Sequence, residues 1–252
     1  MLDTSQDEVY CLAGFTYSQQ IAERAIAAKG KKTFEEMVPV QYRDFAKVFS
    51  EEESQRLPDH QPWDHAIDLE PDAVKHWKIK SYPMSPAEQE ELDKFLTEHV
   101  AKGYLVPSKS PMASPVFFIK RKDGKLRLVQ DYCRLNKITI KHRYPLPLAA
   151  DIINQLMKAQ YFTKFDVRWG YHNNRIREGD EWKGAIIMNR GLFEPRVMYF
   201  GMTNSPATFQ ALMNSVLADL IAKGQVAVYM DNILIYSRDV NAHCLVVREV
   251  LK

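Results

Sequence analysis

Short apolar runs bounded by charged or turn-forming residues recur along the second half of this chain, and their spacing predicts its elements. Val226-Ala227-Val228-Tyr229 and Ile233-Leu234-Ile235-Tyr236 are built from β-branched, aromatic and other apolar residues. The Asp231-Asn232 pair between them tolerates positive φ, so the segment predicts a β-hairpin with those two residues in its turn. Val116 to Ile119 and Leu126 to Val129 flank an Asp123-Gly124 pair, which predicts a second hairpin. A third stretch, Tyr161-Phe162-Thr163-Lys164-Phe165, ends on Asp166.

Other segments carry helical spacing. Ser85, Pro86 and Glu88 form a cap, a first-turn proline and a capping box, followed by Leu92, Phe95, Leu96 and Val100 and a stop at Gly103. Ser205 and Pro206 open a second helix whose stripe is Leu212, Met213, Val216, Leu217, Leu220 and Ile221, ending at Gly224. Tyr42, Phe45, Ala46 and Phe49 predict a short amphipathic helix over 38–50, and Ser50 with Glu53 a capping box after it. Strands and helices interleave without a regular βαβ alternation, which predicts an α+β fold with an antiparallel sheet backed by helices.

Composition changes this picture in one respect. At 252 residues and 46% hydrophobic content the chain can bury a sizeable core as one large domain or two coupled ones. Its net charge of +2 hides an uneven distribution, because residues 101–150 carry 11 Lys and Arg against 2 Asp and Glu. That block alternates with Val116, Phe117, Phe118, Ile119, Leu126, Leu128 and Val129, so it predicts a folded basic surface able to bind phosphate by counterion release. An ordinary solvated face balanced by the acidic first hundred residues is the other reading. Cys11, Cys133 and Cys244 offer neither a disulfide framework nor a zinc pattern. With no membrane-spanning stretch and no secretory signal, a soluble intracellular protein is expected, cytoplasm and nucleus not being distinguished.

Two sets of side chains carry candidate chemistry. Asp166 and Asp231 each end an apolar run, and if their strands were neighbours both carboxylates could leave the same end of one sheet, a hard-oxygen geometry that holds Mg²⁺. Taken singly, each is also a good turn former. Arg121, Lys122, Lys125 and Arg127 crowd the Asp-Gly hairpin, where they form a triphosphate clamp or cationic edge residues that discourage aggregation.

These elements stand among longer motifs. Pro62-Trp63-Asp64-His65-Ala66-Ile67-Asp68-Leu69, Ser108-Lys109-Ser110-Pro111-Met112-Ala113-Ser114-Pro115-Val116-Phe117-Phe118, the stretch ending at Asp166, Gly201-Met202-Thr203-Asn204-Ser205-Pro206-Ala207-Thr208-Phe209-Gln210 and the Asp231 hairpin follow one another in order. From roughly Met37 to Lys252 the chain thereby resembles the reverse transcriptases of gypsy-type long-terminal-repeat retrotransposons, especially fungal ones. The resemblance implies a right-hand polymerase with fingers plus palm, an antiparallel palm sheet backed by helices, and the thumb absent. It implies an uninterpreted segment 1–36, a linker 37–84, fingers with the start of the palm over 85–160, and a truncated palm over 161–252.

The same resemblance implies RNA-directed DNA polymerase activity, with an RNA or DNA template-primer and deoxynucleoside triphosphates as partners and no membrane. A catalytically silent nucleic-acid-binding remnant is the alternative. Asp166, Asp231 and Asn232 take the catalytic positions, and Asp166, Asp231 and the backbone carbonyl of Val167 those that bind two Mg²⁺ ions, with Mn²⁺ as a substitute. Arg121, Lys122, Arg127, Tyr171, Phe200 and Gly201 fall where the family binds the nucleotide, Tyr171 crowding the ribose 2′ position. Two residues depart from the pattern. Asn232 stands where the family has a second hairpin Asp, which predicts weakened metal binding and a lower rate, and Cys133 stands where the family usually has Arg.

Overall fold

The computed structural model describes residues 33–252 apart from 75, 76, 78, 122 and 123. Most of the uninterpreted segment 1–36, and Lys122 of the basic turn, therefore lie outside the described residues. The chain divides into two units, Met1–Ala46 and Lys47–Lys252. In the first, a single helical turn at Phe34–Met37 is opened by the Thr33 amide donating to the Glu36 carboxylate at 2.9 Å. In place of the helix expected over 38–50, the backbone forms a 3₁₀ stretch, Val40–Phe49, kinked at Phe45. Apolar residues three apart line up as well at three residues per turn as at 3.6, so their spacing could not separate the two.

In the second unit the helix predicted from Ser85 forms as α1, Pro86–Ala101. Its capping box is complete: Ser85 Oγ accepts from the Glu88 amide at 3.4 Å and the Glu88 carboxylate accepts from the Ser85 amide at 2.7 Å. Leu92 and Leu96 on its inner face are buried. Strands β1 (Leu105–Pro107), β2 (Ser114–Lys120) and β3 (Leu126–Gln130) follow, and the predicted basic hairpin is the antiparallel pair β2–β3, from Val116↔Gln130 to Lys120↔Leu126. Beyond α2 (Cys133–Ile138), α3 (Ala149–Leu156) and β4 (Tyr161–Asp166), the strands β5 (Ile186–Met188) and β6 (Gly191–Pro195) return to that sheet. Its order is β1-β6-β5-β2-β3. The β2–β5 pair is parallel, so this sheet is mixed.

A second sheet carries the acids. Helices α4 (Ser205–Val216) and α5 (Ala218–Ala222) lead into β7 (Val226–Tyr229) and β8 (Asn232–Ser237), and α6 (Val240–Val250) follows. The sheet order is β4-β8-β7, wholly antiparallel as predicted. The single helix expected from Ser205 to Ile221 is broken at Leu217, whose φ of −103° and ψ of 17° leave the helical region. Its N-cap is Asn204 rather than Ser205. The Asn204 side chain is drawn instead to the preceding loop, accepting from the His142 amide at 3.0 Å and donating to the Ile140 carbonyl at 2.8 Å.

The main core gathers Leu92, Leu105, Met112, Val116, Tyr132, Ile176, Ile186 and Val197 beneath the five-stranded sheet and α1. On the three-stranded sheet, Val226, Val228, Ile233 and Ile235 are buried and share one face, because opposed residues in antiparallel strands point the same way. The other face holds Ala227 and Tyr236, which cluster with Ile152 of α3. Gly170 closes the chain against α4: a Cβ there would stand 2.9 Å from Phe209 Cζ, and Phe209 is itself fully buried. Gly170→Ala should cost about 1–3 kcal/mol by displacing that ring, read as a lower denaturant midpoint at unchanged slope.

Candidate active site

The register of β4 against β8 places Asp166 directly opposite Asn232, and that of β7 against β8 places Tyr229 opposite the same residue. Asp166, Asn232 and Tyr229 thus form one rung at the loop end of the sheet, on the face that also carries Ala227 and Tyr236. The two-residue loop of the hairpin is Met230-Asp231, not Asp231-Asn232: Met230 takes the positive φ of 53° and Asn232 is the first residue of β8. Tyr229 and Asn232 close the loop as a strand pair, so the turn lies one residue earlier than turn propensity alone suggests. Asn232 therefore sits on the strand, facing Asp166, and not in the turn.

Asp231 is held by its neighbours. Its carbonyl accepts from the Val167 amide at 2.8 Å, tying the loop to the end of β4. Its Oδ1 accepts from Asn232 Nδ2 at 3.1 Å. The strand end therefore offers two carboxylates, the Val167 carbonyl and one amide oxygen. These are hard oxygen donors of the kind that suit Mg²⁺ or Mn²⁺, and they fit a divalent cation with one negative charge fewer than three acids would supply. Among the described residues no group of three or more His, Cys, Asp or Glu could hold a metal.

Across from the acids stands the basic hairpin. A cavity of about 840 Å³ is lined by Asp166, Val167 and Asp231 on one side, by Arg121, Arg127 and Gln130 on another, and by Phe200 and Gly201 between them. The Arg127 guanidinium lies 5.7 Å from the centroid of the Phe200 ring, which is 53% exposed. Gly201 has a φ of 96°, a left-handed conformation that glycine adopts without strain, and its carbonyl accepts from Asn136 Nδ2 at 2.7 Å. Tyr171 is not on the cavity wall. It packs behind Phe200 at 4.7 Å between ring centroids and against Phe209 at 5.5 Å. Burial, with the Asp231 charge nearby, pushes its phenol up to about 12, so the hydroxyl stays protonated at neutral pH.

The structure brings together Asp166, Val167, Asp231, Arg121, Arg127, Phe200 and Gly201, with Asn232 and Tyr171 immediately beside them. Sequence reasoning missed the rest of the wall. His99 and His172 line the same cavity and are held neutral, burial lowering them to about 3 and about 4. His99 Nδ1 lies 2.6 Å from the Tyr199 hydroxyl, and the His172 ring stacks on Trp169 at 5.4 Å. They lie far apart in sequence, and no local pattern signals that α1 and the segment after β4 meet.

A fingers hairpin and a palm sheet facing each other across one cleft are the fold of a right-handed polymerase. The foamy virus protease-reverse transcriptase shares it, with a TM-score of 0.65 at 21% identity over 94% of this chain and 31% of that one. A second structure of that enzyme, in complex with an RNA/DNA hybrid, gives a TM-score of 0.63 at 18% identity over 92% of this chain and 31% of that one. Residues 119–252 match the family described as reverse transcriptase (RNA-dependent DNA polymerase), and the chain belongs to that family. The Tf2-7 and Tf2-3 transposon polyproteins of Schizosaccharomyces pombe are each 33% identical to it over 216 residues, 85% of this chain. The chain spans 16% of the length of those polyproteins. No described helix is long and apolar enough to cross a membrane.

Proposed function

We propose that this chain is the fingers and palm of a retrotransposon RNA-directed DNA polymerase, with fingers and the start of the palm over 85–160 and the palm over 161–252, that takes an RNA or DNA template-primer and deoxynucleoside triphosphates. The observation that carries the reading is the single cavity into which Asp166, Asp231, Arg121 and Arg127 all converge. Asp166, Asp231 and the Val167 carbonyl would hold two Mg²⁺ ions, or Mn²⁺ in their place. When bound, such ions lower the pKa of an attacking hydroxyl and neutralise a leaving pyrophosphate.

The chain's own residues supply the rest. Arg127, with Arg121 beside it, presents a planar guanidinium to a triphosphate in the cleft, and its stacking over Phe200 limits the directions it can take. Gly201, without a side chain, lets a nucleotide approach the backbone. Tyr171, wedged between Phe200 and Phe209, backs the exposed Phe200 ring from behind and so stiffens the wall a nucleotide would meet. Arg127→Ala should weaken deoxynucleoside triphosphate binding about tenfold, the size of one charge-assisted contact, with template-primer affinity changed less than threefold. Fluorescence titration of each ligand separates the two.

Primer extension on an RNA template with Mg²⁺ or Mn²⁺ tests the proposal, with Asp166→Asn as the control. Extension that Asp166→Asn abolishes supports it, and extension that survives that change refutes the site. One observation favours the second reading, a catalytically silent binding remnant: Asn232 occupies the rung opposite Asp166 with a neutral amide. No extension in either protein, together with template-primer binding that falls steeply with salt, would select it.

A further inference from the structure

Among the described residues β7 is an edge strand, paired only with β8. Its outer side near the loop is nevertheless satisfied, by one side chain. Gln210, fully buried on α4, accepts from the Met230 amide through Oε1 at 2.7 Å and donates to the Val228 carbonyl through Nε2 at 3.1 Å. Val228 and Met230 are two apart, so their outward-facing carbonyl and amide are the pair that a neighbouring strand would bond. The Gln210 carboxamide, one acceptor and one donor in a plane, takes the place of that strand's peptide. Only one orientation of the amide fits, because an amide hydrogen needs an oxygen acceptor and a carbonyl needs an N–H.

We propose that Gln210 is a positioning residue for Asp231. Met230 is a non-glycine residue in the left-handed region, an unfavourable conformation that persists only where surrounding bonds determine it. Two bonds determine it here, one on each side of the turn: Gln210 holds the Met230 amide, and the Val167 amide holds the Asp231 carbonyl. Between those clamps the backbone of Asp231 is held at the edge of the cavity that Asp166 also lines. Gln210 is fixed in turn through Nε2 to Asn214 Oδ1 at 2.9 Å, and Asn214 Nδ2 donates to the Tyr144 hydroxyl at 2.8 Å. The role in metal binding rests on the metal-site reading above, whereas the clamp on the hairpin does not.

The test uses the full chain, amide hydrogen exchange and Mn²⁺ affinity by electron paramagnetic resonance. In the unaltered protein the Met230 amide should exchange at least a hundredfold more slowly than a free amide despite its place at a loop tip. Exchange at the free rate overturns the proposal whatever any variant does. Gln210→Met, equal in length but unable to bond, should speed Met230 exchange and raise the Mn²⁺ dissociation constant at least tenfold, with β2–β3 amides changed less than twofold. Leu212→Ala, which loosens the packing of the same helix and leaves both strand contacts and the Asn214 bond in place, should change either readout less than threefold. Equal effects from the two variants would mean general loosening and overturn the assignment. Comparing the unaltered protein with Asp231→Asn isolates the other reading. If both bind Mn²⁺ alike while Gln210→Met still frees the Met230 amide, the metal site fails and the clamp stands.

Discussion

Asn232→Asp is expected to tighten Mn²⁺ binding at the end of the three-stranded sheet by about tenfold to a hundredfold. Asn232 is cross-strand partner to Asp166 and next in sequence to Asp231, so a carboxylate there would stand beside both existing acids. Adding one negative charge within a few ångströms of a divalent cation is worth a large factor even in a partly solvated cleft, where screening removes most of the bare Coulomb energy. A second effect adds to the first. The Asn232 amide hydrogen now engages Asp231 Oδ1, and removing it returns that lone pair to the cation. Mn²⁺ titration followed by electron paramagnetic resonance measures the change, and primer extension should rise with it. Equal affinity in the two proteins would show that the hairpin amide does not limit the site. The new acid should also weaken the fold slightly when no cation is present, since three carboxylates would then repel one another.

The second large effect lies in the scaffold next to the site. Asn174 is 1% exposed, and among the described residues both polar atoms of its side chain lack a hydrogen-bond partner. Its backbone is fully engaged, the amide donating to the Tyr171 carbonyl at 3.2 Å and the carbonyl accepting from Met198 at 2.9 Å. An unmet buried amide costs about 1–3 kcal/mol, so Asn174→Val should raise the unfolding free energy by about that amount. Valine suits the extended backbone there, with φ −119° and ψ 126°, and leaves both backbone bonds intact. Denaturant unfolding at constant slope measures the gain. A lower midpoint for Asn174→Val would mean that the carboxamide is satisfied in solution. Because Asn174 lies three residues beyond Tyr171, the same change should also stiffen the wall behind Phe200.

Much of this architecture was legible in the chain. The apolar runs at 116–119, 126–129, 161–165, 226–229 and 233–236 all became strands, because β-branched and aromatic side chains alternate about a pleat whatever they pack against. The capping box at Ser85 marked a helix start to the residue, since its two bonds are local in sequence. Where the reading slipped, a distant partner decided. The turn moved back by one residue because β4 and β7 pair with β8 through Asn232, fixing a register that turn preference could not see. α4 begins one residue after Asn204, whose side chain bonds the loop at 140–142 rather than the helix end, a partner that no local capping pattern reveals.

The strands, the helix from Ser85, the family motifs and the identity of the acids and cations are legible along the chain, since residue type and near-neighbour order carry them. It takes the folded chain to set Asn232 opposite Asp166, Gln210 on the edge of β7 and Tyr171 behind Phe200, and to bury Asn174 with no side-chain partner among the described residues. Each of these joins residues that different elements carry, and which elements meet is set by burial of the shared core rather than by any local pattern.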